Sequence, residues 1–414
     1  MNIKKIRGRE LYNSRGWPTV CCEILLDDGF VATASVPTGM SRGSYEAQTV
    51  FDGGERLWGR GVNKCVEFIN TLIAPEFEGK PPHAINADMR LLELDGTREK
   101  SKLGANTTLA VSMAMYRAHA HAEDTELYEF VGFVSGAETV SIPMPLFNMI
   151  NGGMHAHNEL AIQEFLVMPL GAEDFRLSME IGATVFHELG SILKKHKKEL
   201  IYGDEGGYAC RFGNNEEAFD LLSEAFVRVK ITHGFDALCG LDVAASRMFD
   251  PKLSRYAFGG AMLSSREMID YYERIANTYP VFSIEDGLAE DDWDGWQLLM
   301  ERLGERLQIV GDDLFVTHPQ RIFNGIELKA ANAAIIKPDQ IGTVTEALQA
   351  VRLCKEKNIT PIISHRSGET EDTFIADMAV GVSAPQIKTG GLCRSERLAK
   401  YNRLLTIEDQ LMKR

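Results

Sequence analysis

Long apolar runs and an excess of positive charge are both missing from this sequence of 414 residues. No stretch approaches the ~18 uninterrupted apolar residues of a membrane-spanning helix, and the polar, mostly basic N-terminus lacks the apolar centre of a signal peptide. Lys and Arg number 44 against 59 Asp and Glu, and the net charge of -15 disfavours a nucleic acid or an anionic membrane as partner. We therefore predict a cytoplasmic protein that holds any anionic substrate through local cations or metal ions.

Two kinds of motif are also missing. The 7 cysteines include no C-x-x-C pair, which predicts reduced, mostly buried thiols in a reducing compartment. The glycine pairs at 152–153 and 206–207 belong neither to G-x-G-x-x-G nor to G-x-x-x-x-G-K-[ST], the phosphate-binding loops of nucleotide enzymes. We interpret them as turn glycines, and a dinucleotide-dependent enzyme is disfavoured.

The length of the chain exceeds the usual limit of one hydrophobic core, which predicts two domains. Strand-like runs at 19–26 and 30–36 are joined through the hairpin signal Asp27-Asp28-Gly29. Helical patterns follow near 64–74, 84–94 and 106–120. Strands followed by a block of helices indicate an N-terminal α+β domain, which we place at residues 1–135.

From residue 136 onward, short apolar runs alternate with amphipathic helices. One helical face is formed by Phe219, Leu222, Phe226 and Val229. The later apolar runs are 281–284, 307–310, 333–336, 361–363 and 385–387. Alternation over ~270 residues predicts a (β/α)8 barrel at residues 136–414.

Charged or polar residues stand at the ends of these runs. They are Gln163 with Glu164, Glu205, Asp242, Glu285, Asp312, Lys337, His365 with Arg366 and Ser367, and Lys388. From Glu285 onward they recur every ~23–28 residues, close to the length of a βα unit. One such residue alone would be read as a surface ion-pair partner. A series in register instead predicts convergence on the barrel mouth, where barrel enzymes keep their active sites.

The types of residue indicate the chemistry. Asp242, Glu285 and Asp312 are hard oxygen ligands without an accompanying cysteine, which favours Mg²⁺. Lysine and arginine at the other positions can bind a carboxylate or a phosphate. A lysine enclosed among cations is predicted to have a lowered pKa and to act as a base. Together these features predict proton abstraction next to a carboxylate, followed by loss of a leaving group.

The same residues stand in segments that resemble the enolase family over nearly the whole chain. Three of them are Gly203-Asp-Glu-Gly-Gly207, Ser283-Ile-Glu-Asp286 and Ser364-His-Arg-Ser-Gly368. Further matching segments are 13–20, 151–156, 163–165, 242–246, 290–293, 308–314, 340–343, 386–390 and 394–401. The resemblance implies an α/β fold, an enolase-type TIM barrel capped by the N-terminal α+β domain. A Lys or His base with one or two Mg²⁺ ions is a known property of that superfamily.

The resemblance also implies a reaction, the dehydration of 2-phosphoglycerate to phosphoenolpyruvate. Lys337 would remove the C2 proton, and Glu205, with Glu164 beside it, would protonate the departing C3 hydroxyl. His155 would lie on a loop that closes over the site. Two Mg²⁺ ions per site are implied, and their ligands are Asp242, Glu285 and Asp312 for the first and Ser41 for the second.

The remaining implied roles concern binding. Arg366 and Ser367 would hold the phosphate, with the backbone near His365 helping, and Lys388 would hold the carboxylate. Gln163 belongs to the same substrate-binding set. The implied partners are a small phosphorylated anion and a second copy of the chain in a homodimer, with an octamer as the form of some bacterial members.

The first mobile loop departs from the family pattern. Residues 37–43 read Pro-Thr-Gly-Met-Ser-Arg-Gly where the family has Pro-Ser-Gly-Ala-Ser-Thr-Gly. Shortly afterwards, Phe51 replaces the arginine of the family motif Glu-Ala-x-x-x-Arg-Asp. Since Arg42 is gained where another arginine is lost, we hypothesise that Arg42 restores the lost charge.

Other departures are Asn13, Trp17, Met154, Gly287 and Asp339, and we expect Asp339 to be tolerated because it faces away from Lys337. Lid residues help to select the substrate and to set the turnover rate. The departures therefore leave two alternatives open. One is an enolase-like paralogue that acts on another phosphorylated or phosphonylated acid, and the other is a catalytically silent binding protein.

Overall fold

The computed structural model describes residues 1–39, 42–233 and 237–413. The chain begins with an antiparallel sheet of β1 (Ile3–Tyr12), β2 (Pro18–Leu26) and β3 (Val31–Ser35). β2 and β3 form the predicted hairpin, in which Leu25 pairs with Val31. β1 is not predicted from the sequence, because its buried residues Ile3 and Ile6 do not alternate regularly and a bulge after Ile3 shifts its register.

Helices follow this sheet and pack on it. The α-helices are α1 (Asn63–Glu67), α2 (Ala74–Phe77), α3 (Ala84–Asp95), α4 (Ala105–Ala122) and α5 (Leu127–Ser135), with a 3₁₀ turn at Arg56–Gly59 and a π-helical stretch at Phe68–Ile73. α4 packs against β2 and β3. Its buried face is rich in alanine, whose small side chain lets the helix approach the sheet closely. The predicted α+β domain is thereby confirmed.

The strands of the second half follow in chain order. They are β4 (Met144–Asn151), β5 (Glu164–Met168), β6 (Leu238–Asp242), β7 (Phe249–Asp250), β8 (Arg255–Phe258), β9 (Ala261–Leu263), β10 (Val281–Glu285), β11 (Gln308–Gly311), β12 (Ala333–Ile336), β13 (Thr360–Ser364) and β14 (Gln386–Lys388). β7, β8 and β9 form a small antiparallel sheet. The others close into a barrel in the order β4-β5-β6-β10-β11-β12-β13-β14, which confirms the predicted barrel.

One strand of the barrel runs in the reverse direction. β5 is antiparallel to both β4 and β6, whereas β6 is parallel to β10. The described connection between β4 and β5 contains a 3₁₀ turn, Gly153–His155, in place of a crossover helix. The expectation that each charged residue ends its strand is therefore wrong for Glu164, which begins β5, and for Glu205, which lies in a turn. A short apolar run reads the same in either direction, so its sequence does not reveal the reversal.

The barrel helices lie between the strands. They are α6 (Phe175–Lys195), α7 (Asn215–His233), α8 (Ser265–Thr278), α9 (Trp293–Leu303), α10 (Pro319–Glu327), α11 (Pro338–Ile341), α12 (Val344–Glu356), α13 (Phe374–Gly381) and α14 (Ser395–Leu411), with a 3₁₀ turn at Ala245–Met248. On α7 the predicted apolar residues Phe219, Leu222 and Phe226 are buried. The side chain of Val229 lies outside the described part of the chain.

The first domain is fixed to the barrel close to Lys337. Thr108 Oγ1 donates a hydrogen bond to the carbonyl of Gly342 (2.7 Å). The carboxylate of Asp88 accepts from both the N–H and the hydroxyl of Thr345 (2.9 and 2.6 Å). The main apolar cluster runs through both domains without interruption, from Ile24 to Phe374. The N-terminal domain therefore packs directly against the barrel beside its mouth.

Within the described ranges, no helix combines the length and the apolar character needed to cross a membrane. The cysteines are unpaired, and all except Cys393 are buried.

Candidate active site

Acidic side chains occupy one half of the barrel mouth. Asp242 ends β6, Glu285 ends β10 and Asp312 follows β11, and these three strands are neighbours in the barrel. Glu164 begins the reversed β5 and pairs in register with Asp242, so it reaches the same mouth. All four side chains are buried. Four adjacent strands therefore each bring a carboxylate to one side of the opening.

Basic side chains occupy the other half. Lys337 follows β12, His365 and Arg366 follow β13, and Lys388 ends β14. These three strands are also neighbours. β12 lies four positions from β5 around the closed barrel, so Lys337 and Glu164 face each other across the mouth. The strand order thus separates an acidic half from a basic half.

Lys388 connects the two halves. Its Nζ lies 2.9 Å from Asp242 Oδ2, 2.9 Å from each carboxylate oxygen of Glu285, and 3.4 Å from Glu164 Oε2. Burial opposes the charged form, but these carboxylates, Asp242 first among them, raise the pKa of Lys388 well above its usual value. Lys388 is therefore held in its charged form, and in this structure the surrounding carboxylates compensate its charge.

Lys337 is held by a different carboxylate. Its Nζ donates to Asp312 Oδ2, and its backbone N–H donates to Thr317 Oγ1 (2.8 Å). Gln340 Nε2 donates to the other oxygen of Asp312 (3.0 Å). Burial lowers the pKa of Lys337, but Asp312 outweighs it and the net pKa is raised. The prediction of a lowered pKa is wrong for this arrangement, because the nearest charged group is a carboxylate rather than a cation.

His155, Glu164 and Glu205 form a buried acid cluster. Nδ1 of His155 lies 3.6 Å from both Glu164 Oε1 and Glu205 Oε2, and Asn148 Nδ2 donates to Glu205 Oε2 (3.3 Å). Burial, and then the charge of Glu205, raise the pKa of Glu164 well above its usual value. Burial lowers the pKa of His155. Glu164 is therefore biased toward its protonated form, beside an imidazole that burial biases toward its neutral form.

The orientation of His365 is fixed by Arg397. Nδ1 of His365 lies 2.8 Å from Arg397 Nη1, and its Nε2 lies 3.6 Å from Glu205 Oε2. Since arginine only donates, Nδ1 accepts and the ring proton is on Nε2, toward Glu205. Burial, and then the charge of Arg397, lower the pKa of His365 well below its usual value. Arg397 is not among the residues predicted from the sequence, and its only signal is its place in a matching segment.

Arg366 is held from two sides. Its Nη1 lies 3.1 Å from Glu46 Oε2, which belongs to the N-terminal domain, and 3.1 Å from Asp339 Oδ2. Gly39 lies directly against the guanidinium, where a Cβ would overlap with it. Burial raises the pKa of Asp339 to about 6, with Arg366 opposing. Asp339 therefore contacts a predicted phosphate ligand, Arg366, so its substitution concerns the site even though its described ion pair is not with Lys337.

The other predicted residues are placed less centrally. Gln163 is buried at the start of β5, where its N–H donates to the carbonyl of Asp242 (2.9 Å). Ser367 is buried beside Arg366, and its carbonyl accepts from Arg397 Nη2 (2.6 Å). Met154 is 54% exposed. Ser41, the predicted ligand of a second metal ion, lies outside the described residues.

The acidic half offers donors of the type that a hard divalent cation takes. Asp242, Glu285 and Asp312 offer only carboxylate oxygens, and burial, followed by the charge of Asp242, raises the pKa of Glu285 well above its usual value. Negative charge is therefore in excess there. Among the described residues, these three do not form a group with oxygens within 4.8 Å of one another, whereas Asp286, Asp312 and Asp313 each bring one oxygen within that distance. Both oxygens of Asp286, however, accept the N–H groups of Asp312 and Asp313 (2.9 Å each), so Asp286 anchors that turn.

A cavity of about 410 Å³ opens beside Arg366, between the N-terminal domain and the barrel. We call it the interdomain cavity. The lining side chains that matter below are Arg15, Trp17, Arg42, Phe51, Arg60, Asp339 and Arg366. Lys337, Lys388 and Glu205 do not line it in the described structure. The cavity therefore adjoins the barrel mouth and is distinct from it.

The closed barrel, the packed α+β domain and a mouth divided into carboxylates and cations define a class of protein, the TIM-barrel enzymes with a capping domain.

Comparison with family models then gives the particular relationship. Residues 3–131 match the N-terminal domain of enolase, and residues 139–414 match the C-terminal TIM barrel domain of enolase. Together the two matches cover nearly the whole chain, and the chain belongs to the enolase family. This membership supports a Mg²⁺-dependent, lyase-type function.

Proposed function

We propose that the protein is a phosphopyruvate hydratase, which reversibly dehydrates 2-phospho-D-glycerate to phosphoenolpyruvate. The observation that carries the proposal is the position of Lys337 across the mouth from Glu164, with carboxylates along one side and cations along the other. Removal of a proton from one carbon and of hydroxide from the next requires a base and an acid at separate positions around the substrate. The fold alone does not decide, since barrels host many reactions.

Lys337 is the base in this proposal. Its Nζ accepts the C2 proton only in the neutral form, so its ion pair with Asp312 has to weaken first. Asp312 is also a proposed metal ligand. If its carboxylate bound a metal ion, it would compensate less of the charge of Lys337. The pKa of Lys337 would then fall, in the direction in which the charges of Arg366 and Lys388 already act.

The acid cluster supplies the second proton. Glu205, which lies with Glu164 on the same His155 nitrogen, protonates the C3 hydroxyl so that it leaves as water. The C2–H and C3–O bonds break, the electron pair of the first forms the double bond, and the C2 proton remains on Lys337. The raised pKa of Glu164, caused by burial and by Glu205, supports a protonated carboxyl at this position.

Substrate binding is assigned to the basic half. Arg366 presents a planar guanidinium to the phosphate, as bidentate recognition requires, with Ser367 beside it. Lys388 holds the carboxylate. Mg²⁺ on Asp242, Glu285 and Asp312, with a second ion at Ser41, would supply positive charge to the substrate carboxylate as negative charge accumulates there.

The test is an assay of purified protein with 2-phosphoglycerate and Mg²⁺, following the absorbance of phosphoenolpyruvate. We expect turnover that is abolished by EDTA and reduced at least about 10⁴-fold in Lys337→Ala, since the base is lost. The matched control is Lys194→Ala, which removes an exposed lysine in the middle of an α-helix. A folded protein that binds Mg²⁺ but leaves 2-phosphoglycerate unchanged would contradict the proposal.

A second candidate is favoured by one observation, namely that Trp17, Arg42, Phe51 and Asp339 all line the interdomain cavity. This candidate is an enolase-like paralogue that acts on a different phosphorylated or phosphonylated carboxylic acid. It would use the same base and metal ligands. Its test is exchange of the proton next to the carboxylate in D₂O, measured by NMR over a panel of such acids, with 2-phosphoglycerate in the same panel.

We also propose a homodimer, an octamer being the other assembly considered, and a cytoplasmic role in glycolysis. Light scattering coupled to gel filtration tests the assembly. A mass twice that of the chain supports the dimer, and a monomeric mass contradicts both assemblies.

A further inference from the structure

The interdomain cavity collects residues in which the chain departs from the family pattern. Trp17 comes from the turn before β2, Arg42 from the loop at 37–43, Phe51 from the segment after it, and Asp339 from α11, directly after Lys337. Three of these positions lie in the N-terminal domain, whereas Asp339 lies in the barrel. Their meeting on one cavity indicates that the departures form a single feature of the molecule.

The charge of the cavity is opposite to that of the protein as a whole. Guanidinium groups of Arg15, Arg42, Arg60 and Arg366 line it, against the carboxylates of Glu46 and Asp339. The net charge of the whole chain is -15. A basic cavity in an acidic protein concentrates small anions where the overall field repels them.

Two of these arginines, Arg42 and Arg60, have charges that carboxylates do not fully compensate, whereas the other two are paired. Arg366 is already paired with Glu46 and Asp339, and Arg15 Nη1 lies 2.5 Å from Asp204 Oδ2. Arg42 donates to the carbonyl of Ala47 (2.6 Å), and its Nε is 3.8 Å from Glu46 Oε2, a long ion pair on a side chain 35% exposed. Its charge is therefore only partly compensated.

Arg60 is held by an aromatic ring. Its guanidinium carbon lies 4.6 Å from the centroid of the Trp17 ring, and Trp58 packs edge-on against the same indole at 5.7 Å. Among the described residues, no carboxylate forms an ion pair with Arg60. A guanidinium stacked on an indole keeps its N–H edge free for an anion. Trp17, itself a departure from the family, thus positions a cation at the cavity.

We propose that the interdomain cavity binds an anionic group, a carboxylate or a phosphate, through Arg42 and Arg60, next to the phosphate position at Arg366. The ligand is either a second acidic group on an extended substrate or a separate small anion. A volume of about 410 Å³ is in the range of small-molecule sites. Binding to the cavity stands on its own geometry, and only its relation to the substrate phosphate rests on the proposed function.

The test uses inorganic pyrophosphate as the probe and isothermal titration calorimetry of the full chain in EDTA, where no turnover occurs. We expect Arg42→Gln and Arg60→Gln each to weaken the affinity about tenfold, as loss of a charge-assisted hydrogen bond requires. The matched control is Arg352→Gln, which removes the same charge from an exposed side chain of α12 and should change the affinity less than about twofold. Thermal unfolding of each variant verifies that it is folded.

Two results would overturn the proposal. One is the absence of pyrophosphate binding by the unmodified protein, and the other is an affinity that neither Arg42→Gln nor Arg60→Gln changes. A repeat of the titration with saturating 2-phosphoglycerate distinguishes the two sources of the anionic group, which are an extended substrate and a separate small anion. Displacement of pyrophosphate supports an extended substrate that also reaches Arg366, whereas undiminished binding supports a separate anion. None of these results depends on catalysis, so failure of the proposed function would be recognised separately.

Discussion

The barrel mouth and the interdomain cavity share Arg366 but differ in every other respect. At the mouth, Lys337, Lys388 and the carboxylates facing them are the residues that match the family. In the cavity, the lining includes departures such as Trp17 and Phe51. Under the proposals above, the chemistry and the choice of ligand would be carried by separate surfaces, which could change independently.

Among the variants that keep the base Lys337, the largest effect is expected from the acid side of the mouth. Glu205→Gln keeps the shape of the side chain but cannot donate the proton to the C3 hydroxyl. We expect dehydration to fall by about 10²–10⁴-fold, the usual contribution of a general acid. Lys337 is untouched by this change, so exchange of the C2 proton with D₂O should continue, as measured by NMR.

Together, the dehydration and exchange measurements test whether the base side and the acid side of the mouth act separately. Lys337→Ala is the complementary variant, in which both dehydration and exchange should disappear. Loss of exchange in Glu205→Gln as well would show that the two halves are not separable and would contradict the roles assigned to them.

An intermediate effect is expected where the cavity meets the mouth. Arg42→Thr removes a cation 3.8 Å from Glu46, which in turn holds Arg366. We expect KM for 2-phosphoglycerate to rise about tenfold with a much smaller change in kcat, because binding rather than proton transfer is altered. Adding Phe51→Arg returns an arginine to the same cavity and should recover part of the affinity. An unchanged KM in Arg42→Thr would refute the compensation hypothesis.

The smallest effect concerns pH. The acid pair must hold a proton for dehydration, so kcat should fall as pH rises through the apparent pKa of that pair. Glu164→Gln removes the carboxyl whose pKa is raised by burial and by Glu205, so this alkaline limb should move to lower pH. Arg60→Gln should leave the limb in place, since guanidinium groups do not titrate in this range. If the alkaline limb of kcat moved equally in both variants, the separate roles proposed for the barrel mouth and the interdomain cavity would be contradicted.

Much of the mouth was predictable from the sequence because its residues end apolar runs. Lys337, Lys388 and Glu285 follow or end their strands as the spacing predicted. The end of a strand can be predicted from the local sequence. Because the barrel is closed, residues at the ends of different strands then lie around one mouth. The family resemblance added roles that spacing alone could not assign.

Other features depend on contacts between distant segments. Glu46 holds Arg366 from another domain, and Gln340 links Glu46 to Asp312 (3.4 and 3.0 Å). The direction of the pKa shift of Lys337 could not be predicted from the sequence, because it depends on which charged neighbour lies nearest in the folded protein. The interdomain cavity escaped prediction for the same reason, since its lining residues come together only when the N-terminal domain packs on the barrel.

The reversed β5 has a consequence for loop 152–163. Because β4 ends and β5 begins at the same rim, this loop with His155 is tethered at both ends beside the barrel mouth, and its last residue is bonded to Glu164. His155 and Glu164, which lie beside the proposed proton donor Glu205, therefore belong to one continuous segment. We expect a change of loop length at 156–160 to alter the alkaline limb of kcat as well as KM, as measured from pH profiles of both constants. An insertion after a barrel helix should have a smaller effect, because the helix separates it from the mouth. In this chain, a displacement of the loop that carries His155 would be transmitted directly to Glu164.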